Sequence, residues 1–191
     1  MSKQNWKPGN MLYPAPSVMV SCKLGDNRPN IITIAWAGTI CSDPPMVSIS
    51  VRPERYSYDM IRKSGEFVIN LVTKDLVRAC DYCGVRSGKD HDKFKENGLT
   101  EYYSEFIDAP AINESPVNIY CKTDRIVNLG THDMFIATVC GITVDERYMD
   151  GDGRFDLAAT DLVSYIHGEY YDQGEKLGKF GYSVQKKSKT K

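Results

Sequence analysis

Two arginines and a serine near the end of the first third of the chain could bind an anion. They lie in the run Arg52-Pro-Glu-Arg55-Tyr-Ser57, just before residues with helical spacing. Guanidinium groups match phosphate oxygens, and the free N–H groups at a helix start add a positive dipole end. The same residues could instead form a solvated charged loop with Ser57 near a helix cap. The run therefore predicts an anion site, with this plainer interpretation left open.

A second cationic run, Asp81–Phe94, has the sequence DYCGVRSGKDHDKF. It places arginine, serine and lysine side chains beside Gly84 and Gly88, which permit a ligand to approach the backbone closely. The spacing of its glycine, lysine and serine residues is not that of a Walker phosphate-binding loop. Because two anion-binding candidates in one small domain support each other, we interpret the two runs together.

The stretch Asn30–Arg55 could form one wall of a site for a flat ligand. It begins with small and β-branched residues and Trp36, turns near Asp43, and continues as the strand candidate Met46–Val51. It then ends in the two arginines of the first run. This arrangement can hold a flat aromatic ligand that ends in an anion, and flavin mononucleotide (FMN) is such a ligand.

Cysteine and histidine residues offer rival chemistries. Cys80 and Cys83 have the spacing of a disulfide oxidoreductase, but the βαβ context of that motif is missing, and a structural zinc ion would need two further ligands. We therefore interpret them as structural thiols. His132 lies at a polar corner between two strand candidates, where it could satisfy a turn or hydrogen-bond a ligand carbonyl or phosphate.

Several familiar catalytic patterns are absent from the sequence. It contains no evident Ser-His-Asp arrangement, carboxylate pair, HExxH motif or GxGxxG dinucleotide fingerprint. The run Asp150–Gly153 resembles the start of a calcium loop, but Phe155 occupies the position that requires glycine. We therefore expect the chemistry to belong to a cofactor rather than to side chains.

The composition is that of an ordinary globular protein. The 191 residues are 41% hydrophobic and 26% charged, with a formal net charge of −1 at pH 7. One domain with a sizeable core is expected, without an overall field that recruits nucleic acid or an acidic membrane. The absence of a signal-peptide core and of a membrane-spanning apolar run predicts a cytoplasmic protein with reduced cysteines.

Hydrophobic periodicity predicts mostly strands with a few short helices. Val117–Asn128 and Met134–Asp145 are expected to be two long strands, and a helix after the first cationic run should end at Gly65. Asp81–Phe94 is expected to be a loop that leads into a helix near Asp90–Asn97. Further strands are expected over Ser17–Leu24, Asn30–Ala37, Met46–Val51 and Glu66–Leu71.

This pattern of elements predicts a small antiparallel barrel. Five to seven strands follow at short spacing, and helices do not follow every strand, as a doubly wound parallel sheet would require. The expected organisation is an N-terminal extension over residues 1–12, one domain over residues 13–185 and a flexible basic tail over residues 186–191.

Taken as whole motifs, the same residues resemble a known family. They are similar to the flavin reductase-like, FMN-binding split-barrel family, and within it most closely to the flavoredoxins. The likeness runs from about Tyr13 to Tyr171 and so covers most of the chain. The motifs that carry it are YPAPSVMVSC (Tyr13–Cys22), the long block Pro29–Ile61, GEFVINL (Gly65–Leu71), DYCGVRSGKDHDKF (Asp81–Phe94), SPVNIYCK (Ser115–Lys122) and LGTHDMF (Leu129–Phe135).

The resemblance implies a mainly β fold, a six-stranded antiparallel Greek-key split β-barrel with a few short helices in the connections. It also implies a homodimer with FMN at the subunit interface. Carried over by position, the residues expected near the isoalloxazine ring and ribityl chain are Asn30, Thr33, Ala35 and Trp36, with Ser50, Val51 and Arg52 on the far wall. Those expected near the phosphate, or closing over the ring or phosphate, are Arg55, Tyr56, Ser57, Cys83, Gly84, Arg86, Ser87 and Lys93. His132 and, from a less similar C-terminal region, Tyr165 complete the set.

The function that the resemblance implies is electron transfer by an FMN-containing flavoprotein. The protein could be a flavoredoxin-type carrier that exchanges electrons with a redox partner protein, or an NAD(P)H-dependent flavin reductase, which is an oxidoreductase. The carrier is preferred because no residues identify a nicotinamide site, although an open barrel face could still admit NAD(P)H. Two alternatives stay open: a flavin-storage or flavin-sensing module without turnover, and a barrel that binds another phosphorylated cofactor such as pyridoxal phosphate.

Overall fold

The computed structural model describes residues 1–184. In chain order, its strands are β1 (Ala15–Pro16), β2 (Val18–Cys22), β3 (Asn30–Ile34), β4 (Ala37–Ser42), β5 (Pro45–Val51), β6 (Glu66–Leu71), β7 (Glu101–Tyr102), β8 (Ala111–Ile112), β9 (Val117–Asn128), β10 (Asp133–Val144), β11 (Val163–Ile166) and β12 (Glu169–Asp172). Its α-helices are α1 (Tyr56–Ser64), α2 (Val77–Val85) and α3 (Lys93–Glu96). Short 3₁₀ segments cover Lys74–Leu76, Glu146–Tyr148, Leu157–Thr160 and Tyr182–Val184.

The main sheet is antiparallel and curls on itself. Its order is β3-β2-β6-β9-β10-β5-β4, so β3 and β4 are its two edges, although only Ala35 and Trp36 separate them in the chain. The backbone from Ile34 to Ala37 can span only about 11 Å. The two edges must therefore meet at this junction, although they do not pair with each other. The result is a barrel that is closed at one corner and split elsewhere, which confirms the predicted fold class.

The interior of this barrel is apolar because its strands alternate. In β5, Val47, Ile49 and Val51 are buried in the core, whereas Ser48 and Ser50 between them are partly exposed. Helix α1 packs against the same core with its buried face, which includes Met60 and Ile61. The buried residues that form this core are Val18, Val20, Cys22, Ile32, Ile34, Val47, Ile49, Val51, Met60, Ile61, Phe67, Ile69, Cys121, Phe135 and Ala137.

Several predicted elements are confirmed almost to the residue. Strands β6 and β9 have the predicted bounds, and β10 begins and ends one residue earlier than expected. Helix α1 ends at Gly65, which has a φ of 72° and donates its N–H to the carbonyl of Ile61. These elements have strong periodicity or a glycine stop, so the local sequence suffices to define them.

The sheet has seven strands rather than the six that were expected. The predicted strand Asn30–Ala37 ends at Ile34, and a separate strand, β4, follows the Ala35–Trp36 junction. Strand β4 lies at the sheet edge and is largely exposed, so it lacks the buried alternation that marks a strand in a sequence.

The loop expected over Asp81–Phe94 is partly helical. Helix α2 continues to Val85, because Ala79, Cys80 and Cys83 give it a buried face that tolerates the glycine between Cys83 and Val85. The helix expected near Asp90–Asn97 is a single turn, α3, whose first turn is capped by Asp92. The loop that remains, from Arg86 to Asp92, joins the two helices.

The chain ends differ from the core. Residues 1–12 are exposed and contain no regular element, and β1 pairs with β11 in a small separate sheet that also contains the unpredicted strand β12. The predicted basic tail, residues 186–191, and the last residue of the predicted domain lie outside the described residues. Within residues 1–184, no helix has the length and apolar character that would be needed to span a membrane.

Candidate functional site

A cavity of about 510 Å³ lies where the two edges of the main sheet meet. It is bordered by the β3–β4 junction, the end of β5, the corner between β9 and β10, and β11. The residues that line it are Asn10, Ile32, Thr33, Ile34, Ala35, Trp36, Ser50, Val51, Arg52, Arg55, Thr131, His132 and Tyr165.

A second cavity, of about 110 Å³, adjoins the first and shares Ile32 and Arg55 with it. It lies between the start of α1 and the segment that links α2 to α3. Its lining residues are Asn30, Ile32, Glu54, Arg55, Tyr56, Ser57, Cys83, Gly84, Val85, Arg86, Ser87, Gly88 and Lys93.

Every residue that was expected to border FMN lines one of these two cavities. The wide cavity contains the expected ring and wall residues except Asn30, and the narrow cavity contains Asn30 and all the residues expected near the phosphate or closing over the ligand. Residues as distant in the chain as Asn30 and Tyr165 therefore lie around one connected space. The structure brings the set together, and the contact of each residue with a ligand stays a prediction.

The start of helix α1 supplies the positive end of this space. Arg55 occupies the cap position, and its N–H donates to the carbonyl of Arg52 at 3.0 Å. Within residues 1–184, no hydrogen bond engages the N–H groups of Tyr56 and Ser57. Two guanidinium groups and two free N–H groups at a helix start form an arrangement that can hold a phosphate.

The cationic edge is only lightly neutralised. Arg52 lies 3.6 Å from Glu54, but half or more of each side chain is exposed, so this ion pair contributes little. Among the described residues, Arg55 has no carboxylate within ion-pair distance. An incoming anion would therefore meet available positive charge.

Asn30 and Ser57 form a buried polar pair at the narrow cavity. The side-chain N–H of Asn30 donates to the Ser57 hydroxyl at 2.7 Å. The amide oxygen of Asn30 is buried and has no partner among the described residues. Because an unsatisfied buried acceptor costs about 1–3 kcal/mol, a ligand with a hydroxyl or N–H donor would fit here.

Gly88 permits the close packing of this pair against the α2–α3 segment. A Cβ atom at position 88 would lie 2.0 Å from the Asn30 amide oxygen. Arg28 holds the same segment from outside, donating to the carbonyl of Gly88 at 2.9 Å and to that of His91 at 3.2 Å. Arg28 was not predicted, because its turn carries no local signal of a contact so far along the chain.

Lys93 is more deeply buried than a side chain whose only role is to bind a phosphate. Its ammonium is buried and donates to the carbonyls of Ile31 at 2.6 Å and Cys83 at 2.8 Å. Burial lowers the pKa of Lys93, and Arg55 acts in the same direction. An ammonium has three donors, so one remains for a ligand in the narrow cavity. Lys93 therefore joins α3, β3 and α2 in addition to lining the site.

His132 lies at the opposite rim, on the corner that was predicted between β9 and β10. The corner is closed by a hydrogen bond from the Leu129 N–H to the His132 carbonyl at 3.0 Å, and Thr131 Oγ1 lies 2.9 Å from His132 Nδ1. Partial burial and the nearby Arg52 lower the pKa of His132, with Arg55 adding to the effect and Glu54 opposing it. The imidazole is therefore neutral at neutral pH.

Trp36 is fixed at the junction that closes the barrel. Its carbonyl accepts a hydrogen bond from the Ser50 N–H at 2.9 Å. Its ring centroid lies 6.2 Å from that of Tyr13, which in turn lies 6.4 Å from that of Tyr165. Trp36 and Tyr165 line the wide cavity, with Tyr13 packed near both, so these two rings can exclude water from one side of a flat ligand. Sequence reasoning placed Trp36 and Tyr165 in the site but not Tyr13.

The two neighbouring thiols are unsuited to redox exchange in this structure. Cys80 and Cys83 are buried in helix α2. Burial raises the pKa of the Cys83 thiol to about 12 and raises that of Cys80, so neither supplies a reactive thiolate at neutral pH. In the part of the chain that the structure describes, no group of three metal-binding side chains converges.

Another cavity, of about 570 Å³, lies near Arg147. The guanidinium of Arg147 is already bonded to both carboxylate oxygens of Asp145. Asn118, which also lines this cavity, has its amide groups bonded to Asn70, Ile112 and Thr143. Arg147 and Asn118 are thus satisfied within the protein, so they offer a ligand less than the cationic space does.

Comparisons with known proteins agree with this architecture. The structure of flavoredoxin from Desulfovibrio vulgaris (Miyazaki F) is 35% identical and superposes with a TM-score of 0.88, covering 96% of this chain and 100% of that chain. An FMN-binding protein from Thermus thermophilus, crystallised with 1-cyclohex-2-enone, has the same fold at 20% identity, with a TM-score of 0.77 over 94% of this chain and 99% of that chain.

A more partial match is to the high molecular weight rubredoxin of Moorella thermoacetica. It is 26% identical over 106 residues, which cover 55% of this chain and 45% of that protein. The family model described as "Flavin reductase like domain" matches residues 10–172, most of the chain. The resemblance inferred from the motifs is thereby confirmed, and the chain belongs to this flavin reductase-like family.

Proposed function

We propose that the protein is an FMN-binding flavoprotein that transfers electrons. The observation that carries this proposal is the pair of cavities that meet at Arg55, one wide and bordered by Trp36, the other narrow and cationic. FMN has the matching two parts, a flat ring system and a phosphate on a flexible chain. Family membership supports a flavin, and the description of the Thermus thermophilus relative as FMN-binding supports FMN in particular.

Each group in the site has a physical role in this proposal. The guanidinium groups of Arg52 and Arg55 and the N–H groups at the start of α1 would hold the phosphate. Trp36 would pack at the ring edge and exclude water, and neutral His132 could hydrogen-bond the ligand from the corner. Bound FMN would supply the reversible uptake and release of electrons, which the buried thiols cannot provide.

A homodimer is part of the proposal. The family resemblance implies FMN at a subunit interface. A further cavity, which shares Trp36 and His132 with the wide cavity, is lined by the exposed Met11, Leu12 and Leu129. A second copy of the chain would cover these apolar side chains and help to enclose the ring. Sedimentation of the FMN-loaded protein is expected to give the mass of two chains, and a single-chain mass would remove the dimer from the proposal.

The identity of the cofactor is directly testable. Purified protein is expected to be yellow and to release FMN when it is denatured, as judged by chromatography against FMN, FAD, riboflavin and pyridoxal phosphate standards. Release of pyridoxal phosphate would instead support the rival phosphorylated cofactor. If the protein is purified without a cofactor, titration of FMN into the purified protein replaces the release assay.

The electron source separates the two candidate activities. We favour a flavoredoxin-type carrier that receives electrons from a partner protein, and the similarity to flavoredoxin and to part of a protein named rubredoxin supports this choice. Family membership and the open cavity also favour an NAD(P)H-dependent flavin reductase. Anaerobic mixing of FMN-loaded protein with NADH or NADPH distinguishes them, because rapid loss of the flavin band near roughly 450 nm would exclude a carrier without nicotinamide activity.

A module that only stores or senses flavin makes a different prediction. Such a protein would hold FMN but would not exchange electrons with reduced or oxidised partner proteins or with free flavin. Exchange with at least one such partner is the outcome that the proposal predicts.

A further inference from the structure

A buried carboxylate lies directly behind the corner that carries His132. Asp133, the first residue of β10, is only 7% exposed. Its Oδ1 accepts a hydrogen bond from the side-chain N–H of Asn128 at 2.7 Å, and its Oδ2 accepts one from the Tyr58 hydroxyl at 2.5 Å. In the sheet, Asp133 lies opposite Val51, the residue before Arg52. None of the site residues predicted from the sequence includes this carboxylate.

Tyr58 connects the carboxylate to the other rim of the site. It lies on helix α1, in the residue after Ser57, and its ring packs edge-on against Phe135 with a centroid distance of 5.5 Å. The hydrogen bond to Asp133 is the main cause of the raised pKa of Tyr58. The Tyr58 hydroxyl is therefore a committed donor at neutral pH, and Asp133 joins the corner to the first turn of α1.

The corner needs such an anchor. Its outer residues Leu129, Gly130 and Thr131 are exposed, and in the described part of the chain the only backbone hydrogen bond within the corner runs from the Leu129 N–H to the His132 carbonyl. Gly130 has a φ of 102°, which few other residues adopt. Two side-chain hydrogen bonds to this buried carboxyl group, from Asn128 and Tyr58, can fix the residue next to His132.

We propose that Asp133 is a positioning residue for the flavin site, which uses Asn128 and Tyr58 to hold the His132 corner in register with the phosphate-binding start of α1. This inference rests on the proposed function, because it assigns the network a role in binding FMN. Asp133 acts through other residues and is not itself expected to touch the ligand. Asp133 would instead fix the distance between the His132 corner and the start of α1, which the ligand would bridge.

Three variants test this inference. Asp133→Ala removes both acceptors and is expected to raise the FMN dissociation constant by roughly tenfold or more, and Tyr58→Phe by roughly threefold. Asp133→Asn removes the charge but can keep both contacts, with its oxygen accepting from Asn128 and its N–H group donating to the Tyr58 oxygen. It is therefore expected to bind FMN within about threefold of the natural protein. Tyr103→Phe, which deletes a similar bond to the exposed Glu101, is the matched control and should change nothing.

The pKa of His132, measured by NMR in the FMN-free variants, is a second readout. A general loss of stability would not change it. In Asp133→Ala and Tyr58→Phe, the loosened corner should hydrate His132, so its NMR-measured pKa should rise toward 6.5. The charged groups that shift this pKa are Arg52, Glu54 and Arg55, so loss of the Asp133 charge by itself should not raise it. A rise therefore reports displacement of the corner, and Asp133→Asn should not show it.

These experiments distinguish failure of the positioning role from failure of the proposed function. If the natural protein does not bind FMN, the proposed function fails. If the natural protein binds FMN and both Tyr58→Phe and Asp133→Ala bind it equally well with an unchanged His132 pKa, the positioning role is wrong. If Asp133→Ala does not fold, Tyr58→Phe decides the question. That substitution removes only the hydroxyl and leaves the ring packed on Phe135.

Discussion

Arg52 and Arg55 give the candidate site its charge, and the groups around them determine how that charge is used. Within residues 1–184, the exposed Glu54 is the only ion-pair partner of Arg52, and Ser57 accepts a hydrogen bond from Asn30. Lys93, by contrast, is committed to two backbone carbonyls. Residues of the same charge therefore differ in role, and substitutions should distinguish them.

Arg52→Ala should weaken FMN binding without destabilising the fold. Loss of one charged contact to a phosphate costs about 1.5–3 kcal/mol, or roughly ten- to a hundredfold in the dissociation constant measured by titration calorimetry. Arg62→Ala is the matched control, because Arg62 is similarly exposed but lies in the last turn of α1. Equal affinity for Arg52→Ala and the natural protein would show that the phosphate lies elsewhere.

Lys93→Met should lower both stability and affinity. Methionine fills the space of the side chain but leaves the carbonyls of Ile31 and Cys83 without their donor, at a cost of about 1–3 kcal/mol each when buried. Urea unfolding of the FMN-free protein measures the first effect and FMN titration the second. Lys95→Met, on the exposed side of α3, should alter neither. A variant with full stability would contradict the structural role of the ammonium.

His132 should make stability depend on pH. Its pKa is lowered in the folded state, so the unfolded chain, with a value near 6.5, binds more protons in the interval between the two values. Stability is therefore lost as pH falls from above 6.5 through the folded pKa. His132→Gln should show a smaller fall in melting temperature than the natural protein between about pH 7 and pH 5. An identical fall in the melting temperature of both proteins would mean that folding does not lower the pKa of His132.

At the scale of elements, the α2–α3 segment closes the narrow cavity, and its fit depends on a few contacts. Gly88 lies against Asn30, Arg28 bonds the segment from outside, and Lys93 bonds it from inside. The segment belongs to neither sheet nor long helix, so these contacts fix its position over the site.

Gly88→Ala should disturb this segment. The added methyl would lie 2.0 Å from the Asn30 amide oxygen, so the segment or Asn30 must move, at a cost of about 1–3 kcal/mol. The melting temperature and the FMN affinity should both fall. Gly38→Ala on strand β4 is the control, since its methyl would meet no atom within 4 Å. If Gly88→Ala behaves like Gly38→Ala, the packing is looser than described.

The elements that the sequence predicts well are those with a strong local pattern. Strand β9 is a long run rich in β-branched residues and helix α1 has a glycine stop, so their bounds were predicted closely. Strand β4 is an exposed edge, and the end of α2, from Asp81 to Val85, contains a glycine and polar residues, so neither has a clear local pattern. Their structure is decided by tertiary packing.

At the scale of the whole molecule, the two-residue junction at Ala35 and Trp36 brings the sheet edges together and creates the wide cavity. The residue set around this cavity came from family resemblance, since chain spacing alone gives no reason for β3 to meet β11. Contacts such as Tyr58 with Asp133, 75 residues apart, were not predicted because no local pattern records them.

The most direct test of this account compares FMN with riboflavin in calorimetric titrations of the cofactor-free protein. The two ligands share the ring and differ in the phosphate, so the cationic end of the site should recognise only FMN. If two or more charged contacts hold the phosphate, FMN should bind roughly a hundredfold or more tightly than riboflavin, and Arg52→Ala should narrow the difference. Equal affinities for the two ligands, or a failure of the protein to bind FMN, would contradict the account.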